Sequence, residues 1–233
     1  TLAANTYDEL GRLSGKSLHG SASNKLAYAY NIRNWIESIS SGGLFNISLY
    51  YGYNGNVSRM VCRCPGDNKT YGYNFAYDNL SRLTSAQSLI GGVITLGYAT
   101  NYSYDKNGNL LHLRRGGQTG LSGTGIIDNL SFTLNGNQLK SVNDDATATA
   151  SNGFEFKDGA KLATEYMYDA NGSLIKDLNK GIGIQYNLLN LPSQVKFSDG
   201  STITYIYGAD GVKLRAVHKI GGVTTTTDYC DNV

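Results

Sequence analysis

The chain has 233 residues, of which 16% are charged against roughly 25% in an average soluble chain, and it carries 29 glycines, 18 tyrosines and 2 prolines. A formal net charge of +2, with lysine and arginine scattered and Arg114-Arg115 the longest basic cluster, excludes an electrostatic case for nucleic acid. No apolar run approaches the ~20 residues of a membrane-spanning helix, and the composition suits strands joined by tight turns, so an all-β fold is expected and no helix.

In chain order, the first element is a corner, Tyr7-Asp8-Glu9-Leu10-Gly11-Arg12-Leu13. It returns as Tyr28-Ala29-Tyr30-Asn31-Ile32-Arg33-Asn34-Trp35-Ile36. Asn54-Gly55 follows, a two-residue signal for a type I′ hairpin turn. Cys62-Arg63-Cys64 then places two thiols on one face of a strand; with Cys230 they are read as free thiols of a structural protein. Two more corners are Phe75-Ala76-Tyr77-Asp78-Asn79-Leu80-Ser81-Arg82-Leu83 and Tyr102-Ser103-Tyr104-Asp105-Lys106-Asn107-Gly108-Asn109-Leu110. Residues 115–125, rich in glycine, and 143–153 are small and polar and are expected to be exposed loops. Asn135-Gly136, Asp158-Gly159 and, further on, Asp199-Gly200 are further type I′ signals, and Tyr166-Met167-Tyr168-Asp169-Ala170-Asn171-Gly172-Ser173-Leu174 is another corner. Residues 182–229 read as a meander: a strand to Tyr186, a turn at Asn187, a strand through Phe197, Asp199-Gly200, a strand through Tyr207, a turn ending at Gly211, a strand to Lys219, Gly221-Gly222 and a strand to Tyr229.

The corners recur at intervals of about 20 to 28 residues, the range of array repeats. In Tyr102-Ser103-Tyr104 the strand period of two puts both rings on one face. Asp105 opens a type I turn, where its carboxylate accepts a backbone N–H two residues on, and Gly108 takes the position that needs φ > 0. Asn34 and Asn190 replace that glycine as the left-handed region allows; Ser81 does not tolerate it as well, so its turn is expected to be less regular. The residues singled out, all structural in role, are Tyr7, Asp8, Gly11, Tyr30, Asn31, Tyr77, Asp78, Tyr104, Asp105, Gly108, Tyr168, Asp169, Gly172, Tyr186, Asn187, Tyr207 and Gly211.

No catalytic constellation accompanies them, so no enzyme activity is expected. Asp105-x-Asn107-x-Asn109 superficially matches a calcium loop, but its glycine falls at the fourth position and no closing Glu follows. His19, His112 and His218 lie far apart, and neither a metal nor a cofactor site is expected. Tyrosine pairs such as Tyr28/Tyr30 or Tyr166/Tyr168, and exposed tyrosines such as Tyr71 or Tyr73, suggest surface glycans as an alternative ligand, weighed against packing worth about 0.5–1.5 kcal/mol per aromatic pair. A β-propeller with two hairpins per blade is a third possibility.

The repeated Tyr-Asp-x-x-Gly-x-Leu unit resembles the YD repeats of bacterial RHS proteins, of Tc-toxin C components and of teneurins. Tyr30-Asn31-Ile32-Arg33-Asn34-Trp35, Tyr104-Asp105-Lys106-Asn107-Gly108-Asn109 and Asn187-Leu188-Leu189-Asn190-Leu191-Pro192 are similar to Bacteroidetes members. The resemblance covers nearly the whole chain. It implies that residues 1–233 are a single array of antiparallel β-hairpins forming a curved, spiralling sheet, a partial shell. It also implies that the partners are the rest of a parent RHS protein and a C-terminal toxin, and that the location is secreted or at the cell surface. The chain shows no Asp-Pro-x-Gly core motif before Val233, so it is expected to lie upstream of that core, and no residue here is assigned self-cleavage or toxicity.

Overall fold

A computed structural model describes residues 2–21, 25–64, 66 and 68–230. Among them all regular structure is β. The first sheet has 12 strands in sequence order: β1 (Ala3–Tyr7), β2 (Leu13–Leu18), β3 (Lys25–Tyr30), β4 (Ile36–Ser41), β5 (Phe45–Tyr51), β6 (Val57–Cys64), β7 (Lys69–Tyr77), β8 (Leu83–Ile90), β9 (Val93–Tyr104), β10 (Leu110–Gln118), β11 (Thr124–Asn135) and β12 (Gln138–Asp144). The second has 7: β13 (Tyr166–Tyr168), β14 (Leu174–Asp177), β15 (Ile182–Tyr186), β16 (Pro192–Phe197), β17 (Thr202–Tyr207), β18 (Lys213–Ile220) and β19 (Val223–Asp228). Both are unclosed antiparallel meanders, and β15 to β19 follow the expected meander to within two residues at each end.

The chain packs as two units, one of residues 1–103, 113–128 and 147–154, the other of residues 104–112, 129–146 and 155–233. Few side chains are fully buried. Ala86, Leu89, Ile127 and Ala150 are so in the first unit, and Leu130, Val142 and Ala216 in the second. Strands such as β3 alternate covered and exposed side chains, the pattern of a sheet with one wetter face.

Four turns differ from the Asn-Gly and Asp-Gly reading. At Asn54-Gly55 only the glycine has positive φ (89°), Gly55 N–H donates to Gly52 O (3.1 Å) and Gly52 N–H to Asn56 O (2.8 Å). This is the type I turn plus left-handed residue of the tyrosine corners, and Phe197 to Ser201 repeats it with Gly200 at φ 87°. Gly136-Asn137 forms the tight turn between Asn135 and Gln138 with positive φ at Gly136, a type II′ arrangement one residue later than expected. Asp158-Gly159 joins no strands. Two adjacent left-handed residues occur instead at Gly91-Gly92 and Gly221-Gly222.

The first expected loop contracts, whereas residues 145–153 lie between β12 and β13 with no strand among them. β10 continues through Gly116 and Gly117, both buried, leaving residues 119–123 between strands. Glycine is required there by close approach: a Cβ on Gly117 would stand 2.4 Å from Ile127 Cδ1, and one on Gly116 2.6 Å from Gly97 O. From Asp145 to Ala150 exposure alternates, with Ala146 and Ala148 half-buried and Ala150 buried, and Thr147 and Thr149 exposed. Ser151 N–H then donates to Gln118 O at 2.8 Å, and Arg115, paired with buried Asp128 at 2.5 Å, donates to Phe154 O at 2.7 Å.

Candidate functional site

The repeated corner is the feature that the sequence marks most heavily, and its geometry is uniform. Asp8 N–H donates to Arg12 O (2.9 Å) and Gly11 N–H to Asp8 O (3.0 Å), while Asp8 Oδ1 accepts from Leu10 N–H (3.0 Å) and Arg12 N–H (2.9 Å). Asp78 and Asp105 do the same, as do Asp169 (to Asn171 and Ser173), Asn31 (to Arg33 and Trp35) and Asn187 (to Leu189 and Leu191). Each carboxylate is engaged by its own turn, Asp105 also accepting from Asn109 Nδ2 at 2.8 Å, which answers the calcium-loop pattern. Ser81 takes φ 61° with both turn bonds at 3.0 Å, so its corner is as regular as that of Gly11. The Arg82 Nε bond to Asp78 Oδ2 (2.6 Å) braces it.

Where glycine stands in the aspartate position, the acceptor moves two residues on. Asn54 Oδ1 accepts from Asn56 N–H and Asp210 Oδ1 from Val212 N–H. A Cβ on Gly208 would sit 2.6 Å from Asp210 Oδ1, so the glycine makes room for the displaced carboxylate.

The tyrosines carry a second function that the repeat did not disclose. Strand register shifts at Tyr7, Tyr30, Tyr51, Tyr77, Tyr168, Tyr186 and Tyr207, each bulge preceding a corner. Tyr7 pairs with Leu13, and Tyr30 Oη donates to Leu13 O at 2.9 Å. Tyr30 pairs with Ile36, and Tyr51 Oη donates to Ile36 O at 2.6 Å; Tyr51 pairs with Val57, and Tyr77 Oη donates to Val57 O at 2.9 Å. The second sheet repeats this, Tyr186 bonding Leu174 O and Tyr207 bonding Pro192 O, both at 2.9 Å. Each hydroxyl therefore binds the carbonyl of the residue paired with the previous tyrosine, linking hairpin to hairpin. Burial pushes the phenols of Tyr51, Tyr77 and Tyr186 above their ordinary pKa. Tyr7, ahead of which no hairpin is described, is 61% exposed.

Between β12 and β13 the ladder passes through side chains. Glu165, 1% exposed, gives its N–H to Lys140 O (2.8 Å) and accepts Val142 N–H at Oε2 (2.9 Å). Its carboxylate also accepts Leu162 N–H (3.1 Å) and Asn179 Nδ2 (2.8 Å). Asp158 Oδ2 accepts Asp144 N–H at 3.2 Å. Two carboxylates thus stand where a neighbouring strand would present carbonyls, covering the β12 edge. Tyr168 Oη adds a bond to Leu139 O at 3.0 Å.

Tyr71 and Tyr73, expected to be exposed, are half-buried, Tyr73 stacking on Phe75 at 6.0 Å between centroids. Exposed aromatic surface lies instead in a groove of about 520 Å³ lined by Arg33, Trp35, Glu37, Tyr50, Tyr51 and Tyr53. Trp35 contacts Tyr51 at 5.0 Å and Tyr53 is 97% exposed. Among the described residues no helix is long and apolar enough to cross a membrane, and no group of three or more His, Cys, Asp or Glu side chains is placed to hold a metal.

No protein-family model matches the chain, and no curated protein does. Among solved structures, it is similar over 97% of its length to a chain of the crystal structure of TcdB2-TccC3-Cdc42 (16% identity, TM-score 0.64). It is similar over 99% to one of TcdB2-TccC3-TEV (17%, 0.64) and over 97% to one of a Photorhabdus luminescens Tc holotoxin pore carrying a TccC3 variant (16%, 0.62). In each case it spans 13% of the other chain. The fold is that of a stretch of these Tc-toxin chains, in agreement with the YD-repeat resemblance of the corners.

Proposed function

We propose that this chain is a scaffold segment of a YD-repeat shell, without catalytic activity, that encloses or presents a C-terminal toxin domain lying outside it and is secreted or displayed at the cell surface. The observation that carries this reading is the tyrosine ladder: the hydroxyls of Tyr30, Tyr51, Tyr77, Tyr186 and Tyr207 are committed to the previous hairpin, and the Asp and Asn side chains of the corners to their own turns, an arrangement suited to building wall. The Tc-toxin likeness in fold supports it. The test is limited proteolysis of the parent polypeptide. The expected result is that the segment beyond the repeats resists protease until the ladder is weakened by combined Tyr51→Phe and Tyr77→Phe changes; equal cleavage with and without the repeat region overturns the reading.

A second reading, a carbohydrate-binding module, is favoured by the Trp35–Tyr53 groove, where aromatic rings adjoin Arg33 and Glu37. Saccharide titration monitored by Trp35 fluorescence decides it: saturable quenching that Tyr53→Ala abolishes supports this reading, and no change at millimolar sugar dismisses it.

A further inference from the structure

Cys62 and Cys64 lie two apart on β6, on the same face, with their sulfurs 3.7 Å apart. Arg63 between them points the other way and donates to Asn68 Oδ1. Across the ladder Cys62 faces Ile47 and Tyr71, and Cys64 faces Lys69. Cys64 is exposed and Cys62 half-buried, so the pair is open to solvent on one side.

Geometry decides what such a pair suits. A disulfide needs sulfurs about 2.05 Å apart and α-carbons no further than about 6.8 Å, whereas alternate residues of a strand already stand roughly 6.6 Å apart. Closing the bond would consume the whole tolerance. A tetrahedral ion with metal–sulfur bonds of about 2.3 Å separates two sulfur ligands by about 3.8 Å. The observed 3.7 Å is that edge, reached with no movement of the strand.

We propose that Cys62 and Cys64 form a two-sulfur clip for one thiophilic divalent cation of the zinc group, with water completing the tetrahedron. Because no third protein ligand of the usual kinds joins them among the described residues, the site is an open one, unlike a closed four-ligand structural site. Binding converts two thiols to thiolates and releases two protons for each ion bound. Because each thiol must lose its proton to ligate the ion, affinity rises with pH.

Cadmium chloride is the probe, titrated into the reduced chain and followed by sulfur-to-cadmium charge-transfer absorption and by proton release. The expected result is saturation at one ion per chain with about two protons released, unchanged in Cys230→Ser. Cys62→Ser or Cys64→Ser should weaken binding at least tenfold, and the double variant or prior alkylation of the native chain with iodoacetamide should abolish it. Zinc chloride should displace the cadmium. Binding that survives in the double variant, that depends on Cys230, or that saturates at one ion per two chains overturns the proposal.

Discussion

A tyrosine hydroxyl bonded to a half-buried carbonyl contributes about 0.5–1.5 kcal/mol, and its ring contributes separately by packing. Tyr51→Phe and Tyr77→Phe, which strand Ile36 O and Val57 O, should each lower the urea-derived stability by about 1 kcal/mol, whereas Tyr53→Phe on the exposed ring should change it by less than about 0.5 kcal/mol. Ser81 holds φ 61° against the preference of L-residues, so Ser81→Gly is expected to raise stability by about 1 kcal/mol and Gly108→Ala at φ 89° to lower it by about 1–2 kcal/mol. Asp8 and Asp78 are held below the ordinary carboxylate range chiefly by the N–H groups of Arg12 and Arg82, and Asp105 by the Asn109 amide. A carboxylate with a depressed folded-state value contributes its stabilisation in full above the unfolded value and loses it as pH falls through the folded value. Stability should therefore decline from about pH 4 downward, and Asp78→Asn should flatten that decline in urea titrations; an unaltered slope would count against the turn assignment. The Tyr-Asp pair was legible because turn chemistry is local. The hydroxyl's acceptor was not, since Leu13 and Tyr30 meet only once two hairpins are side by side.

At the scale of elements, what the sequence conveyed depended on whether a segment's partner lay next to it in the chain. The run from β15 to β19 was legible because each strand pairs with the one after it. Asn54-Gly55 and Asp199-Gly200 misled because a glycine after Asn or Asp serves a type I′ turn and a bulged type I turn equally well; the extra residue between paired positions decides it. Gly116-Gly117 looked like a loop, since glycine marks both turns and close backbone approach. Ala146-Thr147-Ala148-Thr149-Ala150 carries a period of two in its burial, hidden in the sequence by its small residues, but forms no strand. Glu165 gave no signal at all, because its role exists only when β12 and the stretch before β13 adjoin. Glu165→Ala strands Val142 N–H and Leu162 N–H, at about 1–3 kcal/mol for each donor left without a partner. Hydrogen exchange should register it as faster exchange at β12 and β13 with β16 to β18 little affected; uniform loss of protection would show that Glu165 is no local seam.

At the scale of the whole molecule, few side chains are fully buried in either unit, and each sheet has outer strands paired on one side only among the described residues. β1 and β19 are exposed along their length and end their sheets without a further neighbour among the described residues. Such edges pair readily with another strand, which in a repeat array is the next hairpin. The scaffold reading rests on these open edges together with the ladder. Cryo-electron microscopy of the parent polypeptide tests it most directly. The expected result is that this chain forms part of a continuous wall whose β1 and β19 edges are joined to further strands and whose one face borders an enclosed volume holding the C-terminal domain. A strip with both faces in solvent and that domain lying outside would contradict it.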